Sequence, residues 1–316
     1  MKRVLLTTFP SAFLHHGGGE REINLLNEAL NHAGVMSDIY GPTSLPVNSY
    51  DCVIHFSMLD GSELMTDAVA DAGRRLILWP NLWFTAEPDA AQIASLAKLL
   101  SRFDAVVFKS LAEERHFSRY LDLAGKDVIR ITPLVSPKFF RKDISRVFQE
   151  SYGLKQYAIW PGIIEPQKNQ LMAVEAFSGL DIDLVISGSV RDIAYAEQCE
   201  AAAGPNIRFI PAMPFGSELH LSALAHCSLF VELPLDFPGT SAIEAATMGC
   251  NLLLSQTPWT EELLAAHCTQ VDPRDADAVR QAVIGCLHRS QSREMAANAD
   301  NNTFKGAVAP LVSYLT

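Results

Sequence analysis

Short apolar runs alternate with amphipathic stretches from one end of the chain to the other. Val4-Leu5-Leu6, Cys52–Phe56, Leu76–Trp79 and Ala105–Phe108 each read as a strand buried on both faces. Between the first two, Ile23, Leu26, Leu30 and Ala33 recur at helical spacing, and Gly34 closes that helix. The pattern then restarts. Tyr157–Trp160 reads as a new first strand and Gln170–Phe177 as a helix. Leu184–Ile186, Ile207–Ile210, Leu229–Val231 and Leu252–Leu254 continue as strands. Apolar strands alternating with helices imply βαβ units and parallel sheets. The two series are separated by Ser136–Gly153, which holds Pro137, a Lys/Arg-rich run and little apolar periodicity. The pattern predicts an α/β protein of two Rossmann-like, doubly wound domains facing a cleft. The expected domains are residues 1–142 and 143–316, with the last helix free to pack back on the first. Ligands of such sheets bind beyond the carboxyl ends of the strands, which makes the cleft the expected site.

Composition adds exclusions. The chain has 316 residues, 48% of them hydrophobic, which suits two cores and excludes global disorder. Its net charge of −11 argues against a nucleic-acid partner, which calls for a basic footprint. The charge is uneven: 15 basic and 16 acidic side chains up to residue 142, and 10 and 20 beyond it. Cys52, Cys199, Cys227, Cys250, Cys268 and Cys286 are scattered without a C-x-x-C pair, as expected of free thiols in a reducing cytosol. The adjacent pair His15-His16 points apart and offers no metal site. The first apolar run is too short for a signal-peptide core, and none reaches the roughly 18 residues of a membrane span. A cytoplasmic protein is expected. Lys109, Arg115, Arg119, Lys126, Arg130, Lys138, Arg141 and Lys142 crowd one stretch, which admits peripheral contact with an anionic inner membrane surface or a charged acceptor. Interleaved Glu113, Glu114, Asp122 and Asp127 fit an ordinary solvated surface.

Three segments carry candidate chemistry. Gly17-Gly18-Gly19 precedes the first amphipathic helix, where glycines admit close backbone approach and the helix start offers N–H groups to an anion. Lys168 follows the first strand of the second series and precedes a helix. In Leu233–Cys250, a strand enters a Pro/Gly turn and a helix begins near Gly239. Thr240 and Ser241 offer hydroxyls and N–H groups at its positive end, suited to phosphate. Glu244 follows one turn in, among Ala242, Ala245 and Ala246, where a carboxylate needs hydrogen-bond partners such as sugar hydroxyls.

Together these segments resemble the retaining, nucleotide-sugar-dependent glycosyltransferases of the GT-B fold, in particular the large family 4 group. Asp236 and Glu244 have the spacing of that family's E-x7-E motif, with Asp for the first Glu. Gly17–Gly19 looks like its glycine loop, and Gly162 and Lys168 match the outer positions of its G-R-x-x-x-x-K element. Leu184–Gly188, Asn206–Ile210, Glu218-Leu219, Ser255 and Glu261 resemble the surrounding segments. The resemblance implies a nucleoside diphosphate sugar as donor and a glycan, lipid-linked or small-molecule acceptor. It assigns ribose hydroxyls to Glu244, donor-sugar hydroxyls to Asp236, and phosphate to Gly239, Thr240 and Ser241. Lys168, Gly18 and Gly19 would stabilise the departing pyrophosphate, and Phe215 would border the base. No cofactor and no metal are implied. Asn81 and Trp83, after a first-half strand, are candidates for the acceptor side, or core residues. The family's Arg is Ile163 here, which removes one pyrophosphate cation; Lys109, Lys138 or Arg141 are candidates to replace it. Two further readings share the fold: a nucleotide-sugar epimerase or hydrolase, and a non-catalytic sugar-nucleotide binder.

Overall fold

A computed structural model describes residues 2–14, 18–58, 61–288 and 304–316; His15, His16 and Gly17 lie outside them. The first strand, β1 (Arg3–Thr8), is followed by α1 (Gly18–His32), β2 (Met36–Ile39) and β3 (Cys52–Phe56). Next come α2 (Ser62–Asp71), β4 (Arg75–Trp79), α3 (Ala90–Leu100), β5 (Ala105–Phe108), α4 (Leu111–Ser118) and β6 (Asp127–Arg130). A 3-10 turn (Pro137–Phe140) and α5 (Val147–Tyr152) lead into β7 (Tyr157–Pro161), a second 3-10 turn (Pro166–Lys168), α6 (Gln170–Phe177) and β8 (Asp183–Ser187). The series continues through α7 (Ile193–Ala202), β9 (Ile207–Ile210), α8 (Glu218–Ala225), β10 (Leu229–Glu232), α9 (Thr240–Thr247) and β11 (Leu252–Ser255). It closes with α10 (Pro258–Leu264), β12 (Cys268–Val271), α11 (Ala276–Leu287), α12 (Phe304–Ala307) and α13 (Ala309–Leu315).

The chain divides into two compact units, Met1–Leu134 with Asp300–Thr316, and Val135–Ala299. Each holds a six-stranded sheet, ordered β2-β1-β3-β4-β5-β6 in the first and β12-β11-β10-β7-β8-β9 in the second. The strand pairs are parallel.

Side-chain alternation along each strand feeds two helical layers. In the first unit Val4, Leu6, Ile54, Ile77 and Trp79 join Leu26 and Leu30 of α1 and Ala307 and Leu311 of the returning C-terminal helices. On the opposite face Leu5, Val53, Leu76 and Leu78 meet Leu99 of α3 and Phe117 of α4. In the second unit Ala158, Trp160, Leu184, Ile186, Leu229 and Val231 pack on Val174 and Phe177 of α6 and Val279 and Val283 of α11. Helix starts are capped locally: Asp89 accepts from Gln92 N–H, Ser110 from Glu113 N–H and Ser217 from His220 N–H. Gly34 turns the chain from α1 into β2 at φ +84°, a left-handed conformation that suits glycine.

The division between units falls at 134/135, ahead of the expected 142/143. Ser136–Gly153 is a packed part of the second unit rather than a connector. Its two anchors, Phe139 and Phe148, are buried, and burial of each contributes about 1.5–3 kcal/mol. They stand too far apart to form a period. The basic run of 109–142 is also broken up. Lys109 is buried, Arg119 pairs with Glu87, Arg130 with Glu114 and Arg141 with Glu218. Among the described residues no helix is long and apolar enough to cross a membrane.

Candidate functional site

In the second sheet β7 lies beside β10, and the chain leaves these neighbours in opposite directions, to β8 from one and to β11 from the other. Loops at the carboxyl ends of such a pair diverge and leave a crevice for a ligand. Both strongest motifs sit there. From β7 the chain runs through Gly162 and Ile163 to the 3-10 turn that ends at Lys168. From β10 it runs through Asp236 to Gly239, the residue that opens α9.

Four hydrogen bonds fix the Lys168 turn, two of them to the segment that follows β10. Asn169, at φ +60°, donates its amide to Leu233 O at 3.1 Å and Pro273 O at 2.9 Å. Leu235 N–H donates to Gln167 O at 2.9 Å. Gln170, fully buried, donates to Ile163 O at 2.7 Å. Below this loop a Cβ on Gly188 would overlap the carbonyl oxygen of Gly162, so only glycine lets the two turns approach.

The fixed turn delivers the Lys168 ammonium to Asp236, at 3.2 Å from Oδ1 and 3.0 Å from Oδ2. The pair is half-buried, and the ammonium lies 6.0 Å over the Phe237 ring. Glu232, the last residue of β10, faces the start of α9. Ser241 Oγ donates to its carboxylate at 3.0 and 3.2 Å, and Gly239 N–H donates at 3.4 Å. Glu232 is 5% exposed. Burial pushes its carboxyl up to about 7, while Lys168, Ser241 and Gly239 pull the other way and Asp236 adds to the rise. Glu244 is buried one turn into the same helix.

Phe215 lies before α8, its ring 5.5 Å from Phe139 and 5.9 Å from His220. Gly216 N–H donates to His220 Nδ1 at 3.1 Å. The 3-10 turn at Pro137–Phe140 packs on α9 and brings exposed Lys138 against Gly216: a Cβ on that glycine would stand 2.7 Å from Lys138 Cδ.

The first unit brings together Asn81, Lys109 and α1. Lys109, after β5, bonds both Glu22 oxygens, at 2.9 and 2.8 Å, and Asn81 Oδ1 at 3.3 Å. Its backbone N–H donates to buried Glu113 at 2.7 Å. Burial alone would lower the Lys109 pKa; the carboxylates of Glu22 and Glu113 override it and hold the ammonium charged. Asn81 takes φ +44°, in the left-handed region. Trp83 stacks on His116 at 4.8 Å, and His116 Nε2 accepts from Phe84 N–H at 2.9 Å. Gly18 and Gly19 open α1, and a Cβ on Gly19 would stand 2.8 Å from the Phe56 ring.

The structure thus places Lys168, Asp236, Gly239, Thr240, Ser241 and Glu244 about one sheet end and its following helix. Asn81, Lys109 and α1, which Gly18 and Gly19 open, share a second neighbourhood. Lys109 and Arg141 are engaged by Glu22 and by Glu218. Glu232 and the Lys109–Glu22 pair are not among the residues that the sequence pattern marks. A charge closing the otherwise apolar run Leu229-Phe230-Val231 was the available signal for the former. The latter joins residues 87 apart and has no local signature.

No family model matches the chain, and no curated protein matches its sequence. Solved structures do match in fold, over nearly the whole length. The Anabaena protein HepE, in complex with UDP and glucose, superposes with a TM-score of 0.77 at 12% identity, over 99% of this chain and 100% of its own. A sucrose-phosphate synthase of Thermosynechococcus elongatus gives 0.71 at 16% identity, over 98% and 95%. A UDP-forming α,α-trehalose-phosphate synthase of Burkholderia xenovorans, in complex with glucose-6-phosphate, gives 0.72 at 12% identity, over 99% of each chain. The chain therefore has the GT-B fold, two parallel α/β sheets with flanking helices.

Proposed function

We propose that the protein is a retaining glycosyltransferase that moves a sugar from a nucleoside diphosphate sugar to a saccharide, lipid-linked or small-molecule acceptor. The observation that carries this reading is the Lys168–Asp236 pair beside the start of α9, at the β7/β10 switch point. As the bond from the anomeric carbon to the phosphate oxygen breaks, its electron pair stays on the diphosphate. Preorganised donors at that oxygen lower the barrier. Lys168 supplies a cation there, and Gly239, Thr240 and Ser241 supply N–H and O–H groups at a positive helix end. Asp236 takes donor-sugar hydroxyls, Glu244 the ribose hydroxyls, and Phe215 borders the base. Lys138, in the same unit, is the candidate for the cation absent at Ile163. Gly18 and Gly19 belong to the donor side of this reading, and Asn81 and Trp83 to the acceptor side. Lysine and helix N–H groups meet the diphosphate charge, so the reading needs no metal. The UDP of HepE and of the trehalose-phosphate synthase makes UDP-sugars the first donors to try.

One observation favours a non-catalytic sugar-nucleotide binder: Ile163 stands where the resemblance calls for an arginine. A thermal-shift screen with uridine and guanosine diphosphates and their sugars, followed by turnover across an acceptor panel, separates the readings. Transfer predicts a selective shift and product formed only with acceptor. A shift without turnover supports the binder, and no shift with any nucleotide removes both.

A further inference from the structure

The donors of the diphosphate seat proposed above already have a partner, and it is a residue of the chain itself. Two of the donors that a phosphate would use, Gly239 N–H and Ser241 O–H, point at the Glu232 carboxylate. That carboxylate is buried at the end of β10. A second anion in the same place would meet it at close range and in poor solvent, where repulsion is strong.

Resting on the donor reading, we propose that Glu232 is a proton-linked gate of the donor site: binding of a sugar-nucleotide diphosphate requires its carboxyl to be neutral and to release Gly239 and Ser241. The step is a simple protonation. One proton from solvent joins the carboxylate, the two donors turn to the phosphate oxygens, and the new O–H becomes a third donor for them.

The surroundings of Glu232 support this. Lys168 faces it from the turn after β7, and Asp236 from the loop after β10. From α9 come Ser241 and, a turn further on, Glu244. The flanking strands bring no charge: β11 reads Leu-Leu-Leu-Ser, and the Tyr157 hydroxyl of β7 is committed to Ala223 O at 2.8 Å. Lys168 is the one cation among these groups and is already bonded to Asp236; the Ser241 and Gly239 hydrogen bonds also favour the charged form, and they are the ones a phosphate would take away. Burial pushes the carboxyl up to about 7, so the gate would operate near neutrality.

The test is calorimetric titration with UDP-glucose and with GDP-mannose, whose diphosphates have no proton of their own to lose near neutral pH. For the one that binds, Kd should rise on the order of twentyfold from about pH 6.5 to about pH 8.5, the response of one proton on a group near 7. Binding at the higher pH should take up close to one proton, read as a heat that differs between buffers of unlike ionisation enthalpy. Glu232→Gln, which mimics the neutral acid, should bind tightly across the range with no proton uptake. A purely structural glutamate would move neither the pH profile nor the proton count. Binding to the wild type that is flat with pH, or unaltered proton uptake in Glu232→Gln, overturns the gate and leaves the donor reading standing. Absence of binding by either donor at any pH overturns both. The wild-type profile alone decides the matter if the variant does not fold.

Discussion

Lys168 and Asp236 pair with and neutralise each other, so their substitution should separate binding from turnover. Lys168→Ala removes the cation beside the departing diphosphate. Turnover of the donor should fall by about 10²–10³-fold, as for loss of one preorganised donor. Asp236→Asn removes a carboxylate from the same place and frees the ammonium. UDP alone, which carries no sugar, should bind this variant at least as tightly as the wild type, while transfer falls because the sugar contact is lost. Weaker UDP binding would contradict the assignment of Asp236 to the sugar. In the first unit, Lys109→Met leaves Glu22 and Glu113 buried without their cation. Such a break costs about 3–5 kcal/mol, readable in urea denaturation. The contrast also marks what the sequence could disclose. Lys168, Asp236, Gly239 and Glu244 stand at fixed offsets from strand ends, so a pattern along the chain finds them. Glu22 and Lys109 meet only because α1 folds over the end of β5, and nothing local in either segment announces the partner.

At the scale of elements, the central strands are legible, and of the four outer strands only β9, which keeps the apolar run Ile-Arg-Phe-Ile, is legible too. β1, β3, β4 and β5, and β7, β8 and β10, are apolar on both faces because helices cover both sides. The outer strands β2, β6 and β12 read Met-Ser-Asp-Ile, Asp-Val-Ile-Arg and Cys-Thr-Gln-Val. An edge strand has one paired side and a partly wet face, so polar residues replace the apolar run and the signal fades. The same contact logic distinguishes glycines. Gly188→Ala would drive a methyl into the Gly162 carbonyl and displace the loop that presents Lys168. A loss of about 1–3 kcal/mol is expected, with a parallel fall in donor turnover. Gly285→Ala lies on the exposed face of α11, where a methyl meets nothing within 4 Å, and should instead stabilise by about 0.5–1 kcal/mol through helix propensity. Chemical denaturation of the two variants side by side checks the opposite signs.

At the scale of the whole molecule, the two units carry buried titrating groups of opposite sense. His55, in β3, has Nδ1 at 2.9 Å from Thr7 Oγ1, and burial lowers its pKa from 6.5 to about 4. Below pH 6.5 the unfolded chain binds a proton that the folded unit refuses until about pH 4. His55 therefore withdraws stability from the first unit as pH falls through that window, by about 3 kcal/mol in total. Glu232 does the reverse in the second unit. Burial raises its carboxyl from 4.5 to about 7, so the folded unit keeps a proton that the unfolded chain has lost. Stability declines as pH rises from 4.5 to about 7, again by about 3 kcal/mol. Scanning calorimetry of each variant against the wild type should expose both slopes. Glu232→Gln should gain on the wild type as pH rises and level off above 7. His55→Gln should gain as pH falls from 6.5. Glu113, raised by burial in the first unit, tilts the absolute curve of that unit, but it is common to both proteins and cancels in the difference. Parallel curves for Glu232→Gln and wild type across the window would mean that Glu232 is charged throughout, and Lys168 with the Ser241 and Gly239 hydrogen bonds would then fully offset the burial of its carboxylate.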